Sequence, residues 1–243
     1  MKKDGKLSYI QFVSSLKKSM TKETAMMHAI GDGDFDAFGL LERELLIDCG
    51  LTEHDYLIDV GCGSGRLAKP LSVYLKGKYL GTDVVSELVD FARSNVKRSD
   101  WSFKVVSDFV IPEDDDKADM VCFFSVLTHL LHEHSFLYLK EAIRVLKPGG
   151  KIIFSFLEFK IPSHLRVFEE TIANPTGGVL NQFICRDGIR AWVKLLGQEL
   201  IGIYDGDQPH FSISAPIDLK NGQVFEKEGN LGQSVCILKK PIV

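Results

Sequence analysis

Residues 57–67, "LIDVGCGSGRL", constrain the fold more than any other part of the sequence. The segment changes from an apolar, strand-like run to three glycines at alternate positions and then to helical spacing. A strand with so few polar residues is typical of the centre of a parallel sheet, where helices cover both faces. Open sheets of this kind bind ligands at the carboxyl ends of their strands. Free amides at the start of the following helix would favour a negatively charged group there, such as a carboxylate. The segment therefore predicts an α/β protein with a ligand site at the glycine bend.

The rest of the chain alternates strand-like and helix-like segments, as a helix-covered parallel sheet requires. The strand-like runs are "YLIDV", "KYLGTD", "SFKVVSD", "ADMVCFFS", "KIIFSF", "IGIYDG" and "SVCILKK". After the fifth of these, "LEFKIPSHLRVFEETIANPTGGVL" is expected to be an irregular insertion, and residues 208–232 are expected to be a hairpin or a long loop. We predict one domain, in which residues 1–50 form a helical cap and residues 51–243 carry the sheet.

Composition excludes several classes of protein. The formal net charge is -4, so the chain lacks the strongly basic field of a dedicated DNA-binding protein, and no DNA partner is expected. The five cysteines are scattered and odd in number, which favours a reducing cytoplasm over a disulfide framework. The longest apolar run, "MVCFF", is too short to cross a bilayer, so no membrane association is expected.

Acidic residues mark the ends of three predicted strands. Asp59 stands just before the glycines, Asp83 ends the second strand, and Asp108 ends the third. Carboxylates accept ribose hydroxyls and attract an ammonium group, but they repel a pyrophosphate. The glycine spacing is also GxGxG and not the GxGxxG of dinucleotide enzymes. The pattern indicates S-adenosylmethionine, with its amino acid at Asp59 and Gly61, its ribose at Asp83 and its adenine near Asp108.

Five stretches, in this order and spacing, carry a family resemblance. They are "YLIDVGCGSGRLA", "KYLGTD", "VVSDF", "ADMVCFFSVLTHL" and "VLKPGGKIIFSF". Together they resemble the class I S-adenosylmethionine-dependent methyltransferases. The resemblance implies a Rossmann-like, doubly wound, seven-stranded sheet whose last strand is antiparallel, with insertions that form substrate loops. It also implies that Cys62 and Gly63 line the methionine part through their backbone, that Val84 and Phe109 flank the adenine, and that the main chain near Ser125 meets the amino group.

His129, in "SVLTHL", is the candidate catalytic residue. Methyl transfer from a sulfonium is a direct displacement that depends mainly on alignment, but a hydroxyl acceptor must also lose a proton. His129 follows the fourth strand, on the side where the methyl group is expected, so it could act as a base or position the substrate. A purely structural role, with Thr128 capping the next helix and His129 bonded to the backbone, stays open.

The remaining candidates carry weaker signals. "HLLHEH" could hold a metal ion through His129, His132, Glu133 and His134, but a solvated run is favoured and no metal is predicted. Arg66 is expected to point outward from a helix start. The acceptor pocket is expected to come from the N-terminal helix, with "GDGDFDAFG" as its hinge or lid edge, and from the later insertions. Residues in those insertions are interpreted as surface histidines, His164 and His210, and as pocket walls or core, Phe159, Phe168, Phe183 and Trp192.

The sequence thus predicts a cytoplasmic methyltransferase that uses S-adenosylmethionine to methylate an oxygen or nitrogen of a small-molecule acceptor. Methylation of RNA or protein is an alternative within the same chemistry, although no basic, aromatic-rich appendage is present. A catalytically silent S-adenosylmethionine-binding protein is a second alternative, because its ligand pocket would be the same. A nicotinamide-dependent oxidoreductase is disfavoured by the glycine spacing and by Asp108.

Overall fold

The computed structural model describes residues 5–30, 34–174 and 178–242. Its strands are β1 Leu57–Val60, β2 Tyr79–Asp83, β3 Ser102–Val105, β4 Ala118–Phe123, β5 Leu146–Phe156, β6 Glu199–Tyr204, β7 Phe211–Ser212, β8 Ile217–Asp218, β9 Val224–Phe225, β10 Glu228–Gly229 and β11 Ser234–Lys239. Seven of them form one sheet in the order β3, β2, β1, β4, β5, β11, β6. The last strand, β11, is antiparallel to both of its neighbours, which confirms the predicted sheet.

Helices cover both faces of the sheet. They are α1 Gly5–Ser19, α2 Lys22–His28, α3 Phe35–Asp48, α4 Ala68–Tyr74, α5 Ser86–Val96, α6 His132–Val145, α7 Pro162–Ala173 and α8 Arg186–Leu195. Apolar side chains of α3, α4 and α5 pack in one buried cluster, and those of α6 and α8 pack in another. Within the three described ranges, no helix is both long enough and apolar enough to span a membrane.

The first two helices lie over the start of α5. Val13 of α1 and Met26 of α2 are buried in one cluster with Val85 and Leu88. This packing places α1 and α2 beside the carboxyl end of β2, where a ligand site is expected. Residues 31–33, the first three of the glycine-rich stretch predicted as a hinge, lie outside the described residues.

The predicted irregular insertion after β5 contains a helix, so that prediction was wrong for half of the segment. Helix α7 begins at Pro162, and proline suits a first helical position because no hydrogen bond is lost there. Apolar residues then recur at Leu165, Phe168 and Ile172, which is helical spacing. The pattern is difficult to detect because these three side chains are exposed rather than buried.

Two other regions refine the sequence expectation. Strand β3 ends at Val105, so Asp108 lies in a bend beyond the strand and not at its tip as predicted. Residues 208–232 form the hairpin structure that was one of the two predicted alternatives. Strand β7 pairs with β10, and β8 pairs with β9, both antiparallel. Strands β7 and β8 pack against α3.

Candidate functional site

A cavity of about 610 Å³ opens at the carboxyl ends of β1, β2 and β4. The predicted site residues that line it are Asp59, Gly61, Cys62, Asp83, Val84, Asp108, Phe109, Ser125 and His129. Gly63 is not part of the lining, although its N–H donates to the Asp83 carboxylate. Helices α1 and α7 close the other side of the cavity, with Tyr9 and Val167 in its wall.

The glycines of the bend are required by close packing within the protein. Gly61 and Gly63 have φ values of +77° and +53°, in the left-handed region that favours glycine. A Cβ on Gly61 would lie 2.3 Å from Cγ2 of Val126, and one on Gly63 would lie 2.4 Å from Cγ2 of Ile30. Larger residues would therefore push away the two segments that close the cavity above the bend.

The amide groups of the bend bind the neighbouring strand. The N–H groups of Gly61 and Cys62 both donate to the Thr82 carbonyl, at 2.7 and 2.9 Å. The N–H of Gly63 donates to Oδ2 of Asp83 at 3.0 Å. The sequence interpretation assumed that free amides here would bind a ligand carboxylate, but these three amides are already engaged. The bend instead holds Asp83 in place.

Asp83 is a buried carboxylate with capacity for further hydrogen bonds. Its Oδ1 accepts from the N–H of Val85 at 2.9 Å, and its Oδ2 accepts from Gly63. Each oxygen has a second lone pair, so two ribose hydroxyls could be accepted. Burial raises the pKa of Asp83 to about 6, against the opposing effect of these main-chain hydrogen bonds.

Asp59 lies deeper, at the carboxyl end of β1. Its Oδ2 accepts from the Tyr79 hydroxyl at 2.7 Å, and its Oδ1 accepts from the Cys122 thiol at 3.7 Å. Burial raises the pKa of Asp59 to about 7, although the hydrogen bond from Tyr79 lowers it. A cation placed in the cavity would favour the ionised form of this carboxyl group.

Phe109, which follows β3, forms an aromatic wall of the cavity. Its ring stacks on His134 at 4.2 Å between centroids and meets the ring of Tyr138 edge-on at 5.3 Å. Asp108 beside it is exposed and accepts from the hydroxyl of Ser107. Tyr138 also lines the cavity. Sequence reasoning missed it because its helical spacing marks only a buried face of α6.

Ser125 belongs to a closed ring of hydrogen bonds in the cavity wall. Its φ is +60°, unusual for a residue with a side chain, and its N–H donates to Oγ of Ser155 at 2.8 Å. Ser155 donates to Oε1 of Gln233 at 2.7 Å, and Nε2 of Gln233 donates to Oγ of Ser125 at 3.1 Å. Gln233 was not predicted, since no local pattern connects it with residues more than a hundred positions earlier.

His129 lies in a short 3-10 helix, Leu127–His129, after β4. Its Nδ1 contacts the carbonyl oxygen of Leu180 at 2.7 Å. A carbonyl only accepts, so Nδ1 carries the proton of the neutral ring and Nε2 is the basic nitrogen. Burial lowers the pKa of His129 below its ordinary value. The ring of Tyr9 stacks on it at 6.0 Å, so α1 covers this side chain.

His164 also lines the cavity, but its ring is fully engaged. It is 1% exposed, so the interpretation as a surface histidine was wrong. The N–H of Glu158 donates to Nδ1 at 3.0 Å, and Nε2 donates to the Gly232 carbonyl at 3.0 Å. His164 therefore joins two backbone segments and has no free basic nitrogen. His210 stacks on Tyr204 and does not line the cavity.

The "HLLHEH" side chains diverge. His132 contacts the Phe183 carbonyl through Nε2, His134 stacks on Phe109, and Nδ1 of His129 is bonded to Leu180. Among residues 5–30, 34–174 and 178–242, no group of three or more His, Cys, Asp or Glu side chains is arranged to hold a metal ion.

Arg66 points inward, which corrects the expectation of an outward side chain. Its Nε donates to Oε2 of Glu42 at 3.2 Å, its Nη2 bonds the other oxygen of the same carboxylate, and its Nη1 donates to the Ile30 carbonyl at 2.8 Å. Arg66 and Glu42 both line the cavity. The sequence signal was ambiguous because the partner lies on α3 and the carbonyl follows α2.

The aromatic residues considered as pocket walls do not line the cavity. Phe159 stacks on Phe183 at 4.7 Å, and Phe168 meets both rings edge-on, at 5.2 and 5.6 Å. Trp192 packs against Phe136 on the outer side of α6. The acceptor side of the cavity is instead lined by smaller residues, among them Ser163, Val167, Val179, Asn181 and Gln233.

Comparisons with known proteins agree with this fold. A family model described as a methyltransferase domain matches residues 58–154. A probable fatty acid methyltransferase of Pseudomonas putida is 29% identical over 121 residues, which cover 49% of this chain and 30% of that protein. A ubiquinone biosynthesis O-methyltransferase of Coxiella burnetii is 25% identical over 155 residues, which cover 61% of this chain and 65% of that protein. The chain thus spans less than two thirds of either relative.

A solved structure extends the similarity in fold to nearly the whole chain. The magnesium protoporphyrin IX methyltransferase of Synechocystis, with bound S-adenosylhomocysteine, superposes with a TM-score of 0.61 at 16% identity and covers 93% of this chain and 98% of that one. The matched domain extends from β1 to β5, the strands whose carboxyl ends surround the cavity. Residues 58–154 are thus similar to a methyltransferase domain, and the strand order and the superposition show that the chain has the Rossmann-like fold of the solved methyltransferase.

Proposed function

We propose that the protein transfers the methyl group of S-adenosylmethionine to an oxygen or nitrogen of a small-molecule acceptor. The observation that carries this proposal is a single cavity in which two buried carboxylates, Asp59 and Asp83, share walls with a histidine whose basic nitrogen is not bonded to the backbone. We call the walls formed by Asp59, Gly61, Asp83 and Phe109 the cofactor half. The walls formed by α1, α7 and residues 125–129, 178–181 and 231–233 are the acceptor half.

The residues of the cofactor half fit this cofactor. Asp83 has two unused lone pairs for the ribose hydroxyls, and Asp59 offers negative charge to the amino group. Phe109 and Val84 supply apolar surface for the adenine, and Asp108 lies beside them. When bound, the cofactor supplies an electrophilic methyl group on a sulfonium.

Arg66 is a candidate partner for the carboxylate of the methionine part. Among the described lining residues, it is the one lysine or arginine. Its pairing with Glu42 fixes the guanidinium plane, and a carboxylate can share a fork already held in this way. Because the bend amides are occupied, this guanidinium takes the ligand carboxylate that the sequence analysis assigned to the bend.

We propose that His129 holds or removes the proton of the acceptor. The hydrogen bond to Leu180 fixes the tautomer, so Nε2 would be available to accept the proton of an acceptor hydroxyl. The lowered pKa keeps the ring neutral at physiological pH, so that Nε2 is able to accept a proton. For an amine acceptor, the same nitrogen would orient the N–H.

Several observations support a small acceptor and one domain. The relatives from Pseudomonas putida and Coxiella burnetii have names that indicate small lipophilic substrates. The acidic net charge does not favour a nucleic acid.

We propose residues 1–50 as a cap within the same domain, since Leu41 and Leu45 of α3 pack in the same core as β1. The five cysteines are free thiols, which supports the proposed cytoplasmic location.

Calorimetry with S-adenosylmethionine is the first test, followed by release of S-adenosylhomocysteine with a panel of phenols, catechols and amines. We expect binding of one ligand per chain and turnover with at least one acceptor class. Absence of S-adenosylmethionine binding would remove the proposal. Binding without turnover on any small molecule, but with turnover on RNA or protein, would move the assignment to the macromolecular alternative.

A further inference from the structure

The acceptor half of the cavity has no unpaired charge among its described lining residues. Its polar side chains are Tyr9, Ser125, His129, Ser163, His164, Asn181 and Gln233, and the rest of the wall includes Phe12, Val167 and Val179. The charges of Arg66 and Glu42 at its border are paired with each other. An ionised acceptor would therefore lose its hydration in the cavity and find no group of opposite charge there. This loss would cost free energy. The wall fits a neutral molecule.

Helix α7 continues this apolar character onto the surface. Its inner face contributes Ser163 and Val167 to the cavity, whereas Leu165, Phe168 and Ile172 are 39%, 37% and 60% exposed. These three residues are spaced three and four positions apart, so they form one stripe along the helix. A soluble helix normally places charged residues on such a face.

Helix α1 carries a second exposed apolar pair, Leu7 and Ile10. One segment connects the two helices, because the N–H of Leu180 donates to Oγ of Ser8 at 3.3 Å and Nδ2 of Asn181 donates to Oγ1 of Thr171 at 3.0 Å. Asn181 also lines the cavity. The exposed apolar residues of α1 and α7 thus flank the same stretch of cavity wall.

We propose that the acceptor is a neutral amphiphile, with a hydroxyl-bearing head in the acceptor half and a hydrocarbon chain that leaves between α1 and α7. The chain would cover the stripe of Leu165, Phe168 and Ile172. This inference rests on the proposed function and specifies its substrate class. Exposed apolar surface next to a ligand cavity commonly marks a binding site, because covering it removes apolar area from water.

The test is calorimetry on the full chain saturated with S-adenosylhomocysteine, with p-cresol, p-butylphenol and p-hexylphenol as probes. We expect affinity to rise by about twofold to fourfold for each added CH₂, as for hydrocarbon leaving water. Ile172→Ser and Phe168→Ser should reduce this dependence on chain length. The matched control is Leu195→Ser on α8, which is 76% exposed and is not among the lining residues of the cavity, and it should keep the full dependence.

Three outcomes would overturn the inference. One is an affinity that does not change with chain length, and another is full chain-length dependence in both α7 variants, with thermal unfolding confirming that they are folded. The third is that the wild type sediments with phosphatidylcholine–phosphatidylglycerol vesicles while its affinity for the phenols does not change with chain length. This result would assign the stripe to a lipid surface. S-adenosylhomocysteine binding is measured first, so its failure removes the proposed function and is distinguishable from failure of this inference.

Discussion

The two halves of the cavity differ in the distances along the chain over which they are assembled. In the cofactor half, Asp59 precedes Gly61 by two positions, and Asp83 binds Gly63 and Val85. In the acceptor half, Nδ1 of His129 reaches across 51 positions to the Leu180 carbonyl, and Gln233 reaches across 108 positions to Ser125. The cofactor half is thus a property of neighbouring strand ends, whereas the acceptor half is a property of tertiary packing.

This difference has a functional meaning. A strand end holds its side chains rigidly, which suits a cofactor whose shape does not change between acceptors. Helices and loops over the site can change with less effect on the sheet, which suits a variable acceptor. We therefore expect changes in the cofactor half to alter S-adenosylmethionine affinity, and changes in the acceptor half to alter turnover with that affinity retained.

A substitution at His129 is expected to have the largest effect, because it should reduce turnover while the cofactor affinity is retained. His129→Gln removes the basic nitrogen, so turnover of a hydroxyl acceptor should fall by about 10² to 10⁴-fold. The affinity for S-adenosylhomocysteine should stay within about twofold, since the cofactor half is intact. The measurements are turnover with an acceptor from the panel and calorimetry with the product nucleoside.

The pH profile separates a catalytic role of His129 from a structural one. The wild-type turnover should fall as the pH decreases through the pKa of His129, which burial places below its ordinary value. His164→Gln serves as the control, because His164 lines the cavity but bonds the backbone through both nitrogens. His164→Gln should lower the free energy of unfolding by about 1 to 3 kcal/mol, and it should keep the acidic limb of the profile, in which turnover falls as the pH decreases. A limb that persists in His129→Gln would contradict the assignment.

The next largest effect is expected at Asp83, in the cofactor half. Asp83→Asn removes the charge that accepts the ribose hydroxyls, and a lost charged hydrogen bond costs about 2 kcal/mol, or about 30-fold in affinity for S-adenosylmethionine. Asp90→Asn, at an exposed acid on α5 that pairs with Arg93, is the matched control and should bind normally. Unchanged affinity in Asp83→Asn would show that the strand tip does not hold the ribose.

The sequence predicted the two halves to different extents, for the same physical reason. Alternation of apolar strands and helices and the glycine bend led to the parallel sheet and to Asp59, Gly61 and Asp83, whereas the antiparallel last strand and the place of Phe109 were implied by the family resemblance. Helix α7 was missed because its apolar residues face solvent, and Arg66 was misassigned because its partner Glu42 lies 24 positions away. No local pattern could reveal Gln233, which reaches the site from another element of the fold.

The pH dependence of binding should be about tenfold between pH 6 and pH 8. Burial raises the pKa of Asp59 to about 7 and that of Asp83 to about 6, and the ligand's amino group favours the ionised forms. Affinity for S-adenosylhomocysteine should therefore rise with pH over this window, and Asp59→Asn should remove most of the rise. The stability of the ligand-free protein should change in the opposite direction. Carboxyls with raised pKa values stabilise the folded state at low pH, and this contribution is lost as the pH rises through 6 to 7.

The smallest effect is expected at Phe109, where the two modes of assembly meet. Its position after β3 is local to the sheet, but its ring is supported by His134 and Tyr138 of α6. Phe109→Ala should weaken S-adenosylhomocysteine binding by about fivefold, because an aromatic contact contributes about 1 kcal/mol beyond area burial. Phe136→Ala, on the outer side of α6 against Trp192, is the control and should leave the affinity unchanged. If both variants lost affinity equally, α6 would act on the cofactor half as a whole, and the boundary between the halves would lie at that helix and not at the strand ends.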